Sequence, residues 1–265
     1  MCFDVDSQPP ITPLHGVPVR TEELVLSAVD GTRFNAFAAH SDSVSPAEAG
    51  IVIMPDVRGL FSFYRDLAQR FAEAGIEAVA IDYFGRTAGL EPRDDSFDHM
   101  AHVAQTQPET ISMDVASGVA YLRSLPGRGP RAIFTVGFCF GGHYSFMQAA
   151  SQHGLSGVIG FYGSPRPRGE AKVGPLQLVD RFECPVLGLF GGSDAGIPQE
   201  SVNAFDEALT NAHVEHELIV YPNAPHSFFD RKQEQFQRES DDAWQRILRF
   251  IAAHTPSAGD ATPQA

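Results

Sequence analysis

The sequence predicts an α/β fold: one mostly parallel sheet of about eight strands with helices on both faces. Three observations predict it. Short, nearly continuous apolar runs recur along the chain, as in strands covered on both sides. Stripes of apolar residues at helical spacing separate them. A hairpin signal opens the series. With 265 residues, and no internal repeat or linker, the chain can bury a full core as one domain.

The elements follow in order. Residues 1–20 carry four prolines and little periodicity, so they are read as a loosely held N-terminal arm ahead of a domain over 21–254. Asp30-Gly31 joins Glu23-Leu24-Val25-Leu26-Ser27 to Arg33-Phe34-Asn35-Ala36-Phe37-Ala38, a two-residue hairpin pattern. Residues 41–49 form a polar loop. Gly50-Ile51-Val52-Ile53-Met54-Pro55 is a buried strand. Tyr64, Leu67, Ala68, Phe71 and Ala72 mark a helix, and Ala78-Val79-Ala80-Ile81 the next strand. Residues 83–108 read as a long irregular connection, a place where function often resides. Ile111, Val115, Val119 and Leu122 mark a helix. Strands are predicted over 132–136, 157–162, 185–190 and 217–221. Helices are predicted over 143–150 and 199–211, with a closing helix bearing Trp244, Ile247, Leu248 and Ile251. Residues 255–265 read as a flexible tail.

Charge and cysteine usage exclude several classes. The net charge of −14 opposes binding to nucleic acid or an anionic membrane surface. No apolar run approaches the roughly 20 residues a membrane helix needs. Residues 1–13 lack the apolar centre of a signal peptide. Cys2, Cys139 and Cys184 make neither a disulfide framework nor a metal pattern, and so sparse a set suits a reducing cytoplasm. His99 and His102 lie three apart, but no carboxylate or thiol is spaced to complete a metal site, so no metal is expected.

Chemistry concentrates just past the strands. Gly137-Phe138-Cys139-Phe140-Gly141-Gly142 runs from a strand into a helix. This is the pattern of a nucleophile held on a sharp turn, with cysteine in place of the commoner serine. The helix start behind Cys139 favours a thiolate. Asp194 follows the 185–190 strand in Gly191-Gly192-Ser193-Asp194. His226 follows the 217–221 strand in Pro222-Asn223-Ala224-Pro225-His226. One histidine among ten carries little weight alone. Nucleophile, acid and histidine in that order, each after a separate strand, is the triad order of α/β-hydrolases. His226 would take the thiol proton and Asp194 would fix the imidazole. The N–H groups of Phe140 and Val57 would bind the oxyanion. His143, one turn past Cys139, is read as a packing or pocket-lining residue.

These segments resemble the dienelactone hydrolase family, and the resemblance extends over residues 24–251. Asp82-Tyr83-Phe84-Gly85-Arg86 is similar to the family's Asp-Leu-Tyr-x-Arg segment. The resemblance implies a Cys-His-Asp hydrolase, without cofactor, acting on a small-molecule ester or lactone, typically an acidic enol-lactone. It also implies that Asp56, where the family has a glutamate, modulates the resting thiol. Two departures bear on the substrate. The family grips the substrate carboxylate with arginines, but Asp230 stands at one such position and no arginine lies near Ser96. An acid beside the pocket would repel an anionic lactone. Arg58, Arg86 and Arg93 are the substitutes for anion binding. Phe61, Phe63, Phe84, Phe138 and Phe140 would build the acyl pocket. A thioesterase or acyltransferase on the same triad, a non-catalytic scaffold and a thiol oxidant sensor are the competing readings. The chain is expected to be a monomer or small homo-oligomer.

Overall fold

The computed structural model describes residues 3–41, 47–93, 96–127, 129–169 and 171–256. Most of the polar loop before the first buried strand, and the tail from 257 on, lie outside the described residues. Among the described residues eight strands form one sheet: β1 (Val19–Ser27), β2 (Arg33–Ser41), β3 (Ala49–Met54), β4 (Glu77–Ile81), β5 (Ala132–Phe138), β6 (Gly157–Phe161), β7 (Val186–Gly191) and β8 (His216–Tyr221). Their order is β1-β2-β4-β3-β5-β6-β7-β8. In this sheet β1–β2 and β2–β4 pair antiparallel, and from β4 to β8 the pairings are parallel. The predicted hairpin closes through Asp30-Gly31, with Gly31 at φ 83°.

The helices are α1 (Ser62–Glu73), α2 (Gly85–Ala88), α3 (His99–Val103), α4 (Pro108–Arg123), α5 (Phe140–Gln148), α6 (Pro175–Leu178), α7 (Gln199–Asn211) and α8 (Gln237–Ala253). Residue alternation along each strand splits the core in two. Ile51 and Ile53 of β3 join Phe71 of α1 and Ile247 of α8. Val52 and Met54 of the same strand join Val115 and Val119 of α4. The sheet is therefore covered on both faces, which is why its central parallel strands β3, β5, β6 and β7 are buried along their whole length. All parallel strands end at one rim, where the loops after β3, β5, β6, β7 and β8 meet.

The N-terminal arm is not loosely held. Phe3 is 1% exposed and stacks on Phe63 with ring centroids 4.0 Å apart. Ser7 Oγ donates to Asp230 Oδ2 at 2.5 Å, and the Arg231 N–H donates to the Gln8 carbonyl at 2.8 Å. Burying one phenylalanine contributes roughly 2 kcal/mol, enough to hold a segment that its prolines keep from forming helix. The 83–108 connection contains α2 and α3. It is pinned by Arg93, which pairs with Asp82 at 2.6 Å and lies over the Phe97 ring.

Candidate active site

β5 passes into α5 through Cys139, which holds φ 55° and ψ −107°. A non-glycine residue there is strained, and surrounding structure must enforce it. The enforcement is steric and hydrogen-bonded. A Cβ on Gly137 would collide with the Gly141 carbonyl, and one on Gly141 with the Met54 and Pro55 carbonyls. The two glycines thus let the turn close against β3. The Cys139 N–H donates to the Phe161 carbonyl at 3.0 Å, and the Cys139 carbonyl accepts from His143 at 3.1 Å. Cys139 is half-buried at the positive end of α5.

Asp194 and His226 meet across the loops after β7 and β8. His226 Nδ1 lies 2.6 Å from Asp194 Oδ2. The other Asp194 oxygen accepts the Gly196 N–H at 2.8 Å. Burial pushes the Asp194 pKa up, but the His226 hydrogen bond and charge, with the Gly196 N–H, outweigh it and hold it below the usual carboxylate range. Asp194 is therefore an anion at neutral pH, held against the imidazole at Nδ1. The histidine loop is locked to the acid loop by backbone: the Ser193 N–H donates to the Ala224 carbonyl at 3.0 Å.

Tyr162 links the two halves. It follows Phe161, the acceptor of the Cys139 N–H, and its ring lies 4.8 Å from the His226 ring. It carries φ 36°, a second strained residue at the rim. Its only signal in the sequence was its place at the end of a buried strand.

The loop after β3 is held by phenols. Tyr83 donates to the Pro55 carbonyl and, at 3.2 Å, to that of Asp56. Tyr64 Oη accepts the Asp56 N–H at 2.8 Å. Burial raises both phenol pKa values well above the ordinary range, so both stay neutral. Asp56 is fully buried. Its carboxylate accepts the Arg58 N–H at 2.9 Å and the Phe3 N–H at 3.1 Å. Among the described residues no carbonyl accepts the Val57 N–H, and Phe140, as the first residue of α5, has no intrahelical acceptor.

The substrate-pocket expectations fare differently. Arg58 lines a cavity of about 390 Å³ beside this loop, with Phe61, Arg65, Asp82, Arg93 and Phe97. Arg86 does not face it. Its guanidinium grips Asp114, at 2.7 Å, and Asp30, at 2.5 Å, because α2 turns it toward α4. Phe84 is fully buried beneath Gly59, a packing residue rather than a pocket wall. His143 is 2% exposed, and its Nδ1 lies 2.7 Å from the Ser164 carbonyl. Burial lowers its pKa to about 4, against the pull of that carbonyl, so it is neutral at pH 7. Asp230 does not point at a substrate either; it is buried and bonded to Ser7, so the expected repulsion of an anion falls away. Arg168, in the basic loop after β6, lies over the Phe140 ring at 5.1 Å. His102 bonds Thr87 at 2.8 Å, and among the described residues no group of three or more potential ligands is placed to hold a metal ion. No helix of the described residues is long and apolar enough to cross a membrane.

An eight-stranded sheet of this order, with a strained elbow after β5 and an acid–histidine pair after β7 and β8, defines an α/β-hydrolase. Solved structures share the fold. A protein from Klebsiella pneumoniae titled "Putative Dienelactone Hydrolase" superposes with a TM-score of 0.76 at 24% identity, covering 89% of this chain and 99% of that one. A dienelactone hydrolase-like promiscuous phosphotriesterase from metagenomic libraries gives 0.74 at 18% identity, covering 91% and 100%. The sequence profile of the dienelactone hydrolase family matches residues 34–255, and the chain belongs to that family. Among its relatives, the Salmonella typhimurium protein named "Putative carboxymethylenebutenolidase" is 26% identical over 262 residues, covering 95% of this chain and 96% of its own. The Escherichia coli K12 protein of the same name is 28% identical over 223 residues, covering 82% and 80%.

Proposed function

We propose that the protein hydrolyses carboxylic esters or lactones of small molecules, with Cys139 as nucleophile, His226 as base and Asp194 as its orienting acid. The observation that carries the reading is the 2.6 Å Asp194–His226 pair at the same rim as the strained Cys139 elbow. In this mechanism His226 Nε2 takes the thiol proton, and the Cys139 sulfur adds to the substrate carbonyl carbon. The N–H groups of Phe140 and Val57 bind the oxyanion, each worth roughly 3 to 4 kcal/mol in the transition state. The C–O bond to the alcohol then breaks, and the alkoxide leaves with the proton carried by His226. The product is an acyl thioester on Cys139. Water, deprotonated by His226, hydrolyses it and returns the thiol.

The reading needs no cofactor, and the sparse cysteines fit a cytoplasmic setting. The relatives named carboxymethylenebutenolidase take that name from a butenolide, a lactone, and the present chain is read as acting on the same bond class. Asp56 is assigned to holding the oxyanion loop, since both its oxygens accept backbone N–H groups. The test is turnover of an activated aryl ester, an enol-lactone and an acyl thioester, with trapping of the acyl group on Cys139 by mass spectrometry. Ester or lactone turnover with acyl on Cys139 is the expected result. Turnover by Cys139→Ala at the wild-type rate would overturn it.

A further inference from the structure

The arm is bonded to two separate loops of the rim within five residues of chain. Phe3 N–H donates to Asp56 Oδ2 at 3.1 Å, in the loop that carries Val57. Ser7 Oγ donates to Asp230 Oδ2 at 2.5 Å, four residues past His226. Four residues reach at most about 14 Å, so the arm limits how far these loops can separate. The span is also stiff. The Asp4 N–H donates to Ser7 Oγ at 3.0 Å, and the Ser7 N–H donates to the Asp4 carbonyl at 3.1 Å. Ser7 Oγ therefore closes a turn and anchors it at once. Outside the turn, Lys232 pairs with Asp4 at 3.6 Å and with Asp6, on the same histidine-side segment.

A side-chain route runs parallel to the backbone route. The Phe3 ring lies edge-on to Tyr162, with centroids 6.2 Å apart, and Tyr162 packs on His226. Phe3 also lies 5.9 Å from Phe138, the residue before Cys139. Phe228, two residues after His226, also packs edge-on with Tyr162 at 5.7 Å. The ring that backs the imidazole is thus in contact with both the arm and the histidine loop.

From this juxtaposition we propose that the arm belongs to the catalytic scaffold: Phe3 and Ser7 are positioning residues that fix the His226 ring and the Val57 N–H relative to Cys139. The proposal rests on the triad reading above. A segment that merely covered apolar surface would stabilise the chain without setting the rate. A strap across two catalytic loops sets the rate, because small misplacement of a general base lowers kcat before it lowers binding.

The test compares Ser7→Ala, Ser7→Thr, Phe3→Ala and Phe3→Leu in the full chain. kcat and KM are measured on p-nitrophenyl acetate, and kcat is expressed per mole of folded protein, taken from the near-ultraviolet circular dichroism of each variant, so that unfolded protein does not count. Ser7→Ala and Phe3→Ala are expected to lower kcat by about ten- to a hundredfold with KM changed less than about threefold. Ser7→Thr, which keeps the hydroxyl, should restore most of it. If Phe3→Ala fails to fold, Phe3→Leu and the Ser7 pair decide. Unchanged kcat per mole of folded protein in these variants, even with a lower melting temperature, overturns the proposal. Cys139→Ala serves as the separate control: if it keeps turnover, the triad reading fails; if it is inactive while the arm variants keep kcat, the arm proposal alone fails.

Discussion

The rim has two halves that are built differently. Over β5 to β8, backbone fixes the reactive groups: the elbow closes on two glycines, and the acid and histidine loops are joined by the Ser193–Ala224 bond. Over β2 to β4, charge fixes the side chains. Arg86 reaches across to Asp114 and Asp30, and Arg93 folds back on Asp82. The comparison teaches where each half is vulnerable. Backbone sterics tolerate no substituent but are insensitive to pH. Buried ion pairs accept small geometric change but fail when one partner is removed.

The largest effects should fall on the β5–β8 half and appear in rate. His226→Ala is expected to lower kcat by roughly 10⁴-fold or more, measured by ester turnover of the folded protein. Gly137→Ala should go further and prevent the elbow from forming, because its methyl meets backbone rather than a movable side chain. A soluble Gly137→Ala variant with normal turnover would show that the turn is not sterically closed.

On the β2–β4 half the expected loss is stability. Asp114 is 0% exposed; burial pushes its pKa up to about 6 even with Arg86 alongside. Arg86→Met strands that carboxylate. It should cost about 3 to 5 kcal/mol in chemical denaturation while leaving kcat of the folded protein within a factor of about two. A large fall in kcat for Arg86→Met would place Arg86 back at the substrate.

His143 sits between the two regimes: it is near the elbow, yet its contribution is electrostatic. Its pKa of about 4 lies below the value near 6.5 of an unfolded chain. The unfolded chain therefore binds the proton first as the pH falls. The native state keeps this contribution in full above about pH 6.5 and loses it down to about pH 4, some 3 kcal/mol in all. Denaturation midpoints measured across that window should flatten in His143→Gln. An equal slope in the variant would mean that other groups carry the acid sensitivity.

The same division governs what the chain discloses before it is folded. Gly137, Gly141 and the strand-end positions of Asp194 and His226 are local facts, written in contiguous residues, and they predict the rim of β5 to β8. The hairpin and the alternation of buried strands with amphipathic helices do the same for the sheet. Arg86 has no such local signature. Its partners Asp114 and Asp30 lie on other elements, so nothing near it in sequence says that it turns from the cavity to α4. Asp230 misleads for the same reason: its partner, Ser7, lies at the other end of the chain. The arm escapes notice because prolines suppress periodicity, and a single buried phenylalanine leaves no pattern.

Arg58 supplies the smallest effect and the sharpest test of the cavity half. It lines the cavity beside the oxyanion loop and follows Val57, whose N–H is the proposed oxyanion donor. Its half-buried guanidinium is screened by water, so its pull on a substrate carboxylate is modest, about 1 kcal/mol. Arg58→Ala should raise KM about fivefold for an ester whose acyl group bears a carboxylate. KM for the neutral ester of the same length should not move. The Arg58 backbone N–H to Asp56 survives the substitution, so the loop and kcat should be preserved. If KM rises equally for both esters, Arg58 shapes the cavity without reading charge; if neither moves, the substrate lies on the other side of the elbow, toward Arg168.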